Sequence, residues 1–588
     1  MNRSFFTYKS LGADYTVLQN ELRLGTPTAV FGVSEAHKYF LASLSEFKTL
    51  YITSDSVSAG KAYSAISAIS GKKCVLLPAK DEVILYKDAL SKDALFKRLT
   101  AVHQILSGAD VIVSSIEAVI QLFPKSLESI DFEVNGEYDY QSLPQKLIQI
   151  GYSREYSAES KGTFAVRGDI LDIYPVNCEN PVRVDFFGDT VEKIRPYDAV
   201  SGERLPELNK LSVVGATDAS YKKTEIPYIK KVLSESLKKC TDSTAYKRAR
   251  AIADEIMLKL ENGVPFAGAS FLMPVLNCSC TLFDLIDKDT QIIFDECKLI
   301  SDMLGGVFKE HNERVNELKK GGEALDFSIN QLLSPEIFLR KISSYRSYAL
   351  QTFTTSTQFF RPLKTFNFKS TPSPAYLNSV PQLLIDLKRW LSNNYRVLIY
   401  TGSVQRTEKL CAMLADEYIP LYPLPLSLEA LQGVSVTSEE LPHGLIIHES
   451  KLVIIGSGDI YTKSVAKRIR KKRGDMFTAP EIGDYAVHEK HGIGRITGTK
   501  KIETTDGIKE YVAIEYRGGD VLYVPVEQMD VLSKYVGDSN PALSKIGGAE
   551  FDRVKERVKK SIRELSFDLK QLYAERNGRR GFLFPEKL

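Results

Sequence analysis

The sequence predicts a multidomain α/β protein. A degenerate P-loop domain carries an inserted α+β domain and is followed by a second α/β domain, a small β-barrel and a long C-terminal helix. Three observations carry this expectation. Short apolar strand runs alternate with helical stretches over the first 125 residues, the pattern of a parallel sheet covered by helices. After Phe132 the alternation breaks into strands in quick succession with Gly-Asp turns, an antiparallel texture, and then resumes. Towards the end, strands separated by Gly pairs give way to apolar residues at helical spacing. A chain of 588 residues is also too long for one core.

Residues 1–125 hold the strand runs TAVFGV, TLYITSD, KCVLLPA and DVIVSS, with the helical SVSAGKAYSAISAIS and KDALFKRLTAVHQIL between them. Residues 126–215 form the insert, whose strands are TFAVRGDILDIYP, PVRVDFFGD and TVEKIRPYD. Residues 216–342 resume the first domain and include the buried-looking run QIIFDE. Residues 343–466 form the second α/β domain, with RVLIYTGS, the helical VQRTEKLCAMLADEY and KLVIIGSGD. Residues 467–478 are a basic linker, in which six of the seven residues from Lys467 to Arg473 are Lys or Arg. A solvated linker is the ordinary reading of such a run, and a phosphate contact is the alternative. Residues 479–546 form the barrel; its His488 and His491 have no third ligand nearby and read as structural. In residues 547–588, Phe551, Val554, Val558, Ile562, Leu565, Leu569 and Leu572 make one apolar stripe, which needs a surface to lie on.

Composition narrows the function classes. The chain is 43% hydrophobic and 26% charged, as soluble globular proteins are. Its 77 basic and 74 acidic residues leave a net +3, so any nucleic-acid contact has to be local. The N-terminus lacks the basic region and apolar run of a secretion signal, and no apolar run approaches a membrane span. A cytoplasmic location without a membrane partner is expected. Seven Cys are scattered, and the close pair Cys278 and Cys280 has neither a second pair nor a nearby His, so no metal site is expected.

The stretch AVFGVSEAHKYFL keeps the frame of a phosphate-binding loop and loses its chemistry. Gly32 and Lys38 have the spacing of Gly-x4-Gly-Lys-Ser/Thr, and the lysine is expected to open the following helix. His37 stands where the second Gly lets backbone N–H groups close on phosphate, and Tyr39 stands where a hydroxyl would ligate magnesium. Asp295 and Glu296 follow an apolar run as the acidic magnesium pair of ATPases does. Elsewhere the chain has no intact loop of this kind. No catalytic residue and no cofactor are expected for this chain.

In this order, the segments resemble the N-terminal half of the bacterial transcription-repair coupling factors. The segment VRGDILDIYPVNCENPVRVDFFGDTVEKIRPYD is similar to the UvrA-binding insert that this family shares with UvrB. The segments GDYAVHEKHGIGRITGTKKIE and KEYVAIEYRGGDVLYVPVEQMDVLSKYVG resemble its CarD-like, Tudor/SH3-type domain that docks on RNA polymerase. The resemblance implies a UvrB-like first domain without ATPase activity and a final relay helix leading to a translocase. That translocase, with its own ATP and magnesium and its grip on double-stranded DNA, is expected to be missing from this chain. The family's UvrA contacts fall on Arg167, Arg183 and Phe187. Exchanging Arg183 for Glu is then expected to cut UvrA binding and leave melting nearly unchanged. A sheet edge meeting the polymerase β subunit falls on Lys500, Lys501, Ile502 and Glu503. UvrB's damage-probing hairpin has only a short counterpart here, LLPAKDEVILYKDALSKDALFKRL, with one Tyr, so direct lesion sensing is not expected. The implied function is an adaptor between stalled polymerase and UvrA. An ATP-dependent translocase would need an intact loop, and a free-standing polymerase-binding regulator without a repair role is the alternative.

Overall fold

The computed structural model describes residues 6–461, apart from 81–91, 200–201, 241, 262–268, 356–358, 377 and 425–427, and most of 483–544. The basic linker and the C-terminal stripe lie outside the described residues, as does His491. The chain divides into two compact units, Met1–Thr462 and Lys463–Leu588.

The first unit is organised by a seven-stranded sheet. Its order is Lys364–Asn367, Thr28–Phe31, Arg346–Leu350, Gln291–Asp295, Thr49–Thr53, Val111–Ser115 and Cys74–Leu77. Every neighbouring pair is parallel. Parallel strands are covered on both faces, which explains why Thr49–Thr53, Val111–Ser115 and Gln291–Asp295 are buried along their whole length. The helices between them have chemical stops. Helix Ser56–Ser70 begins where the Asp55 side chain accepts from the Ser58 N–H and ends at Gly71 in the left-handed conformation.

Two strands sit elsewhere than the sequence places them. Arg346–Leu350 and Lys364–Asn367, read as the start of the second α/β domain (343–466), flank Thr28–Phe31 in the first sheet. Their local pattern is that of any buried strand; only the long-range pairing assigns them. The second sheet starts at Ser370 and runs Ser370–Pro372, Leu445–Ile447, Leu452–Ile455, Arg396–Tyr400, Val434–Thr437. Its residues Leu398, Tyr400, Leu445 and Ile447 share a buried cluster with Tyr15, Phe40, Tyr348 and Phe368. The two α/β regions therefore bury apolar surface jointly.

The insert closes at its neck, where Ser129–Glu133 pairs antiparallel with Lys210–Val214. Beyond it lies a five-stranded sheet ordered Thr190–Pro196, Val182–Phe187, Ile170–Tyr174, Thr163–Arg167 and Ser153–Arg154. Phe96 and Leu99, from helix Lys92–Leu106, join Phe132, Leu147, Phe164 and Val184 in its core. The insert is seated on the first domain by this shared core.

In the second unit, five antiparallel strands run Val521–Pro525, Gly507–Glu515, Gly492–Thr504, Tyr485–His488 and Leu532–Lys534. Ala486, Ile496, Val512, Ile514, Tyr516 and Val524 make its core.

Candidate functional site

The loop with the spacing of a phosphate site is closed. Helix Glu35–Ser43 opens at Glu35 behind Ser34, so Lys38 lies a full turn inside it and its N–H donates to the Ser34 carbonyl at 3.0 Å. This corrects the expectation that Lys38 opens the helix. Glu35, Ala36 and His37 continue a helix where glycines would arch around a phosphate. Gly32 is left-handed (φ 72°) with the Phe368 carbonyl packed against it, so the strand end is filled by the protein's own backbone.

Lys38 is committed inside the protein. Its Nζ donates to Asp295 Oδ1 at 2.8 Å and Glu296 Oε1 at 2.5 Å. The carboxylates are supported further, since the Tyr51 hydroxyl donates to Asp295 Oδ2 at 2.9 Å and the Thr352 N–H donates to Glu296 at 2.8 Å. Glu296 is held in the left-handed region (φ 63°) at the start of helix Cys297–Gly321. Burial raises the Glu296 carboxyl, but the bond and charge of Lys38 and the hydrogen bonds from Thr352 together outweigh it and hold the group below its ordinary range. His37 is fully buried, with Nε2 meeting the Tyr15 hydroxyl at 3.3 Å and Nδ1 unpartnered. Tyr39 donates its hydroxyl to Glu35 at 2.7 Å. All six residues singled out by the motif are thus brought together or accounted for, and they do not fit a nucleotide. The cation that would meet phosphate neutralises the pair that would hold magnesium.

The insert presents a different surface. Cross-strand partners in a sheet share a face, and the register Arg167↔Ile170↔Asp185 and Asp172↔Arg183 puts Arg167, Asp172, Arg183 and Phe187 on one face. Along Val182–Phe187 burial alternates, with Phe186 inward and Phe187 outward at 77% exposure. Arg183 grips Asp172 with two bonds, Nε to Oδ1 at 2.7 Å and Nη2 to Oδ2 at 2.9 Å. Arg167 lies over the ring of Tyr156, 4.9 Å from its centroid, and donates to the Tyr156 carbonyl at 2.8 Å. Tyr156 is 87% exposed and was not singled out by the sequence, because it stands in a loop without periodicity.

In the second unit, strand Gly492–Thr504 is paired along Gly492–Arg495 by Tyr485–His488, while its distal half pairs with Gly507–Glu515. Lys501, Ile502 and Glu503 face Glu510, Lys509 and Ile508 in register. Among the described residues, no further strand pairs with the outer edge of Ile496–Thr504. Lys500 is exposed, with Nζ 5.6 Å from the Tyr523 ring centroid. The side chains of Lys501, Ile502 and Glu503 lie outside the described residues.

Both surfaces fall within matched domain families. Residues 130–218 match the UvrB interaction domain, and residues 481–536 match the CarD-like/TRCF RID domain. A protein of Bacillus subtilis (strain 168) named transcription-repair-coupling factor is 28% identical over 559 residues. The chain is similar to the transcription-repair-coupling factors. That alignment covers 91% of this chain and 47% of the relative. A transcription-repair-coupling factor of Staphylococcus aureus (strain bovine RF122 / ET3-1) is 26% identical over 475 residues, covering 77% of this chain and 40% of its own length. The chain thus spans about half the length of the coupling factors it matches, or somewhat less. Arg167, Arg183 and Phe187 lie in the first matched domain and Lys500–Glu503 in the second, while Lys38 and its acidic partners lie in neither. No helix among the described residues is long and apolar enough to cross a membrane.

Proposed function

We propose that this chain is an adaptor of transcription-coupled repair, working in the cytoplasm. The insert face recruits UvrA, the CarD-like sheet holds the β subunit of RNA polymerase, and the first domain supports them without nucleotide. The observation that carries this reading is the presence of both partner-binding domain families on one chain that aligns with a coupling factor over 91% of its length. The closed loop supports the third part, because Lys38 is already neutralised. In this reading, ATP-driven translocation on double-stranded DNA is the work of the portion of the relatives outside the alignment. The chain itself is expected to release no phosphate from ATP above background. Turnover that is lost on Lys38→Ala would contradict this.

The insert geometry selects the better binding test. Arg183→Glu would set a carboxylate against the buried Asp172, so it would perturb the fold as well as the surface. That revises the expectation that melting would be unchanged. Phe187→Ala removes an exposed ring with no core role. It should weaken UvrA binding about tenfold, within the range of interface anchors, with an unchanged melting temperature. Undiminished UvrA binding would displace Phe187 from the interface.

On the second unit, an open strand edge can accept a partner strand, with alternate side chains supplying selectivity. Lys500, Lys501, Ile502 and Glu503 are proposed as that contact. Ile502→Arg should release polymerase while the isolated domain stays folded; a folded variant with full polymerase binding would refute the placement.

A further inference from the structure

Between Lys222 and Arg250 the chain carries nine Lys and Arg against three acidic residues. That excess of six is twice the net +3 of the whole chain. The segment folds as a short 3-10 turn, Lys223–Glu225, and the helices Ile226–Lys238 and Ser243–Glu261. Ile229 and Leu233 on one helix and Ala249, Ala253 and Ile256 on the other face a common core. That leaves Lys222, Lys223, Lys230, Lys231, Lys238 and Lys247 exposed. From Lys223 to Lys238 the row is about 22 Å long at helical rise.

Helix electrostatics account for only part of this row. Lys238 and Lys239 stand at the C-terminus of the first helix, where cations are favoured. Lys222 and Lys223 stand before it, where the dipole disfavours cations, and Lys230 and Lys231 stand in its middle, where the dipole gives them no support. Ion pairing does not account for them either. Lys239 is bonded to Asp326 at 2.5 Å, and Lys231 approaches Glu235 only at 4.0 Å. Lys222, Lys223, Lys230, Lys238 and Lys247 make no ion pair among the described residues.

We infer that this helical hairpin is a contact surface for the phosphate backbone of duplex DNA. It goes beyond the adaptor reading and does not depend on it. The row follows one helix and its entry turn and is made of Lys, a point charge suited to phosphate and poor at bidentate base reading. Duplex DNA presents one negative charge per roughly 1.7 Å of axis, so a row of this length meets phosphates at any register. An acidic peptide would need apolar anchors to bind here, and the one large aromatic exposed on the first helix is Tyr228. The binding expected is independent of sequence and steeply dependent on salt.

The test uses the full chain and a fluorescent 25-base-pair duplex of arbitrary sequence, titrated between 50 and 200 mM salt. Each phosphate contact contributes about 0.9 to the log–log slope, so four or five contacts predict a slope of about −4. Changing Lys222, Lys223, Lys230, Lys231 and Lys238 together to Gln should weaken binding at least tenfold at 50 mM salt and flatten the slope. The same five changed to Arg should bind as the parent does. Both comparisons are repeated in a background with the basic residues of 467–473 changed to Gln, so that the linker cannot supply the signal. Unchanged affinity and slope in the Gln variant, equal loss in the Arg variant, or tighter binding of single-stranded DNA than of duplex would each overturn the assignment.

Discussion

Lys38→Met is expected to cost about 3–5 kcal/mol of stability, the usual penalty for removing one partner of a buried ion pair. Lys38 and Asp295 are nearly inaccessible and Glu296 is largely covered. Met keeps most of the apolar stem and removes the charged end, so little of the loss comes from packing. Two carboxylates would remain against Tyr51 and the Thr352 N–H with no cation. Chemical denaturation of the variant, compared with a triple variant that also carries Asp295→Asn and Glu296→Gln, measures this directly. The triple variant should recover most of the loss, because neutral amides need no counter-charge. A single variant within about 1 kcal/mol of the parent would mean that the ion cluster does not stabilise the first domain.

Acidification to pH 5 is expected to remove about 2 kcal/mol through His37 alone, at about 1.4 kcal/mol for each pH step below the ordinary imidazole value. Burial pushes the His37 ring from its ordinary 6.5 down to about 3. Its surroundings, Tyr15 and Phe368, offer no carboxylate to an imidazolium. The sign follows from proton counting. Below pH 6.5 the unfolded chain takes up a proton that the folded chain refuses until about pH 3. The stabilisation is therefore complete above 6.5 and declines as pH falls towards 3. His311, also lowered by burial, adds to the decline in the same direction. The difference between parent and His37→Gln isolates the first contribution: the variant's stability should fall less between pH 7 and 5. Parallel profiles would contradict the assignment.

These two residues also mark how far the sequence could be read. Gly32, Lys38 and the Asp295–Glu296 pair stand out in the sequence by the spacing of a nucleotide-site motif, because motif spacing is local. That these residues bond to each other was not visible, because Lys38 and Asp295 are 257 positions apart and only the sheet order brings the Thr28–Phe31 and Gln291–Asp295 strand ends together. Strand alternation separated the insert from its host. It could not place Arg346–Leu350, since a buried strand carries no label for its sheet. On the insert, alternation of Phe186 and Phe187 required knowing the strand's inner face, and the fork of Arg183 on Asp172 required knowing the register. Tyr156 left no trace in any pattern.

In the proposed adaptor, one chain holds both partners at once. Core RNA polymerase is immobilised, UvrA is supplied with and without the chain, and retained UvrA is quantified. UvrA should be retained only when the chain is present. Phe187→Ala should lose UvrA while the chain stays on the polymerase, and Ile502→Arg should lose both. UvrA retained equally without the chain, or a folded chain that holds neither partner, would rule out the adaptor role.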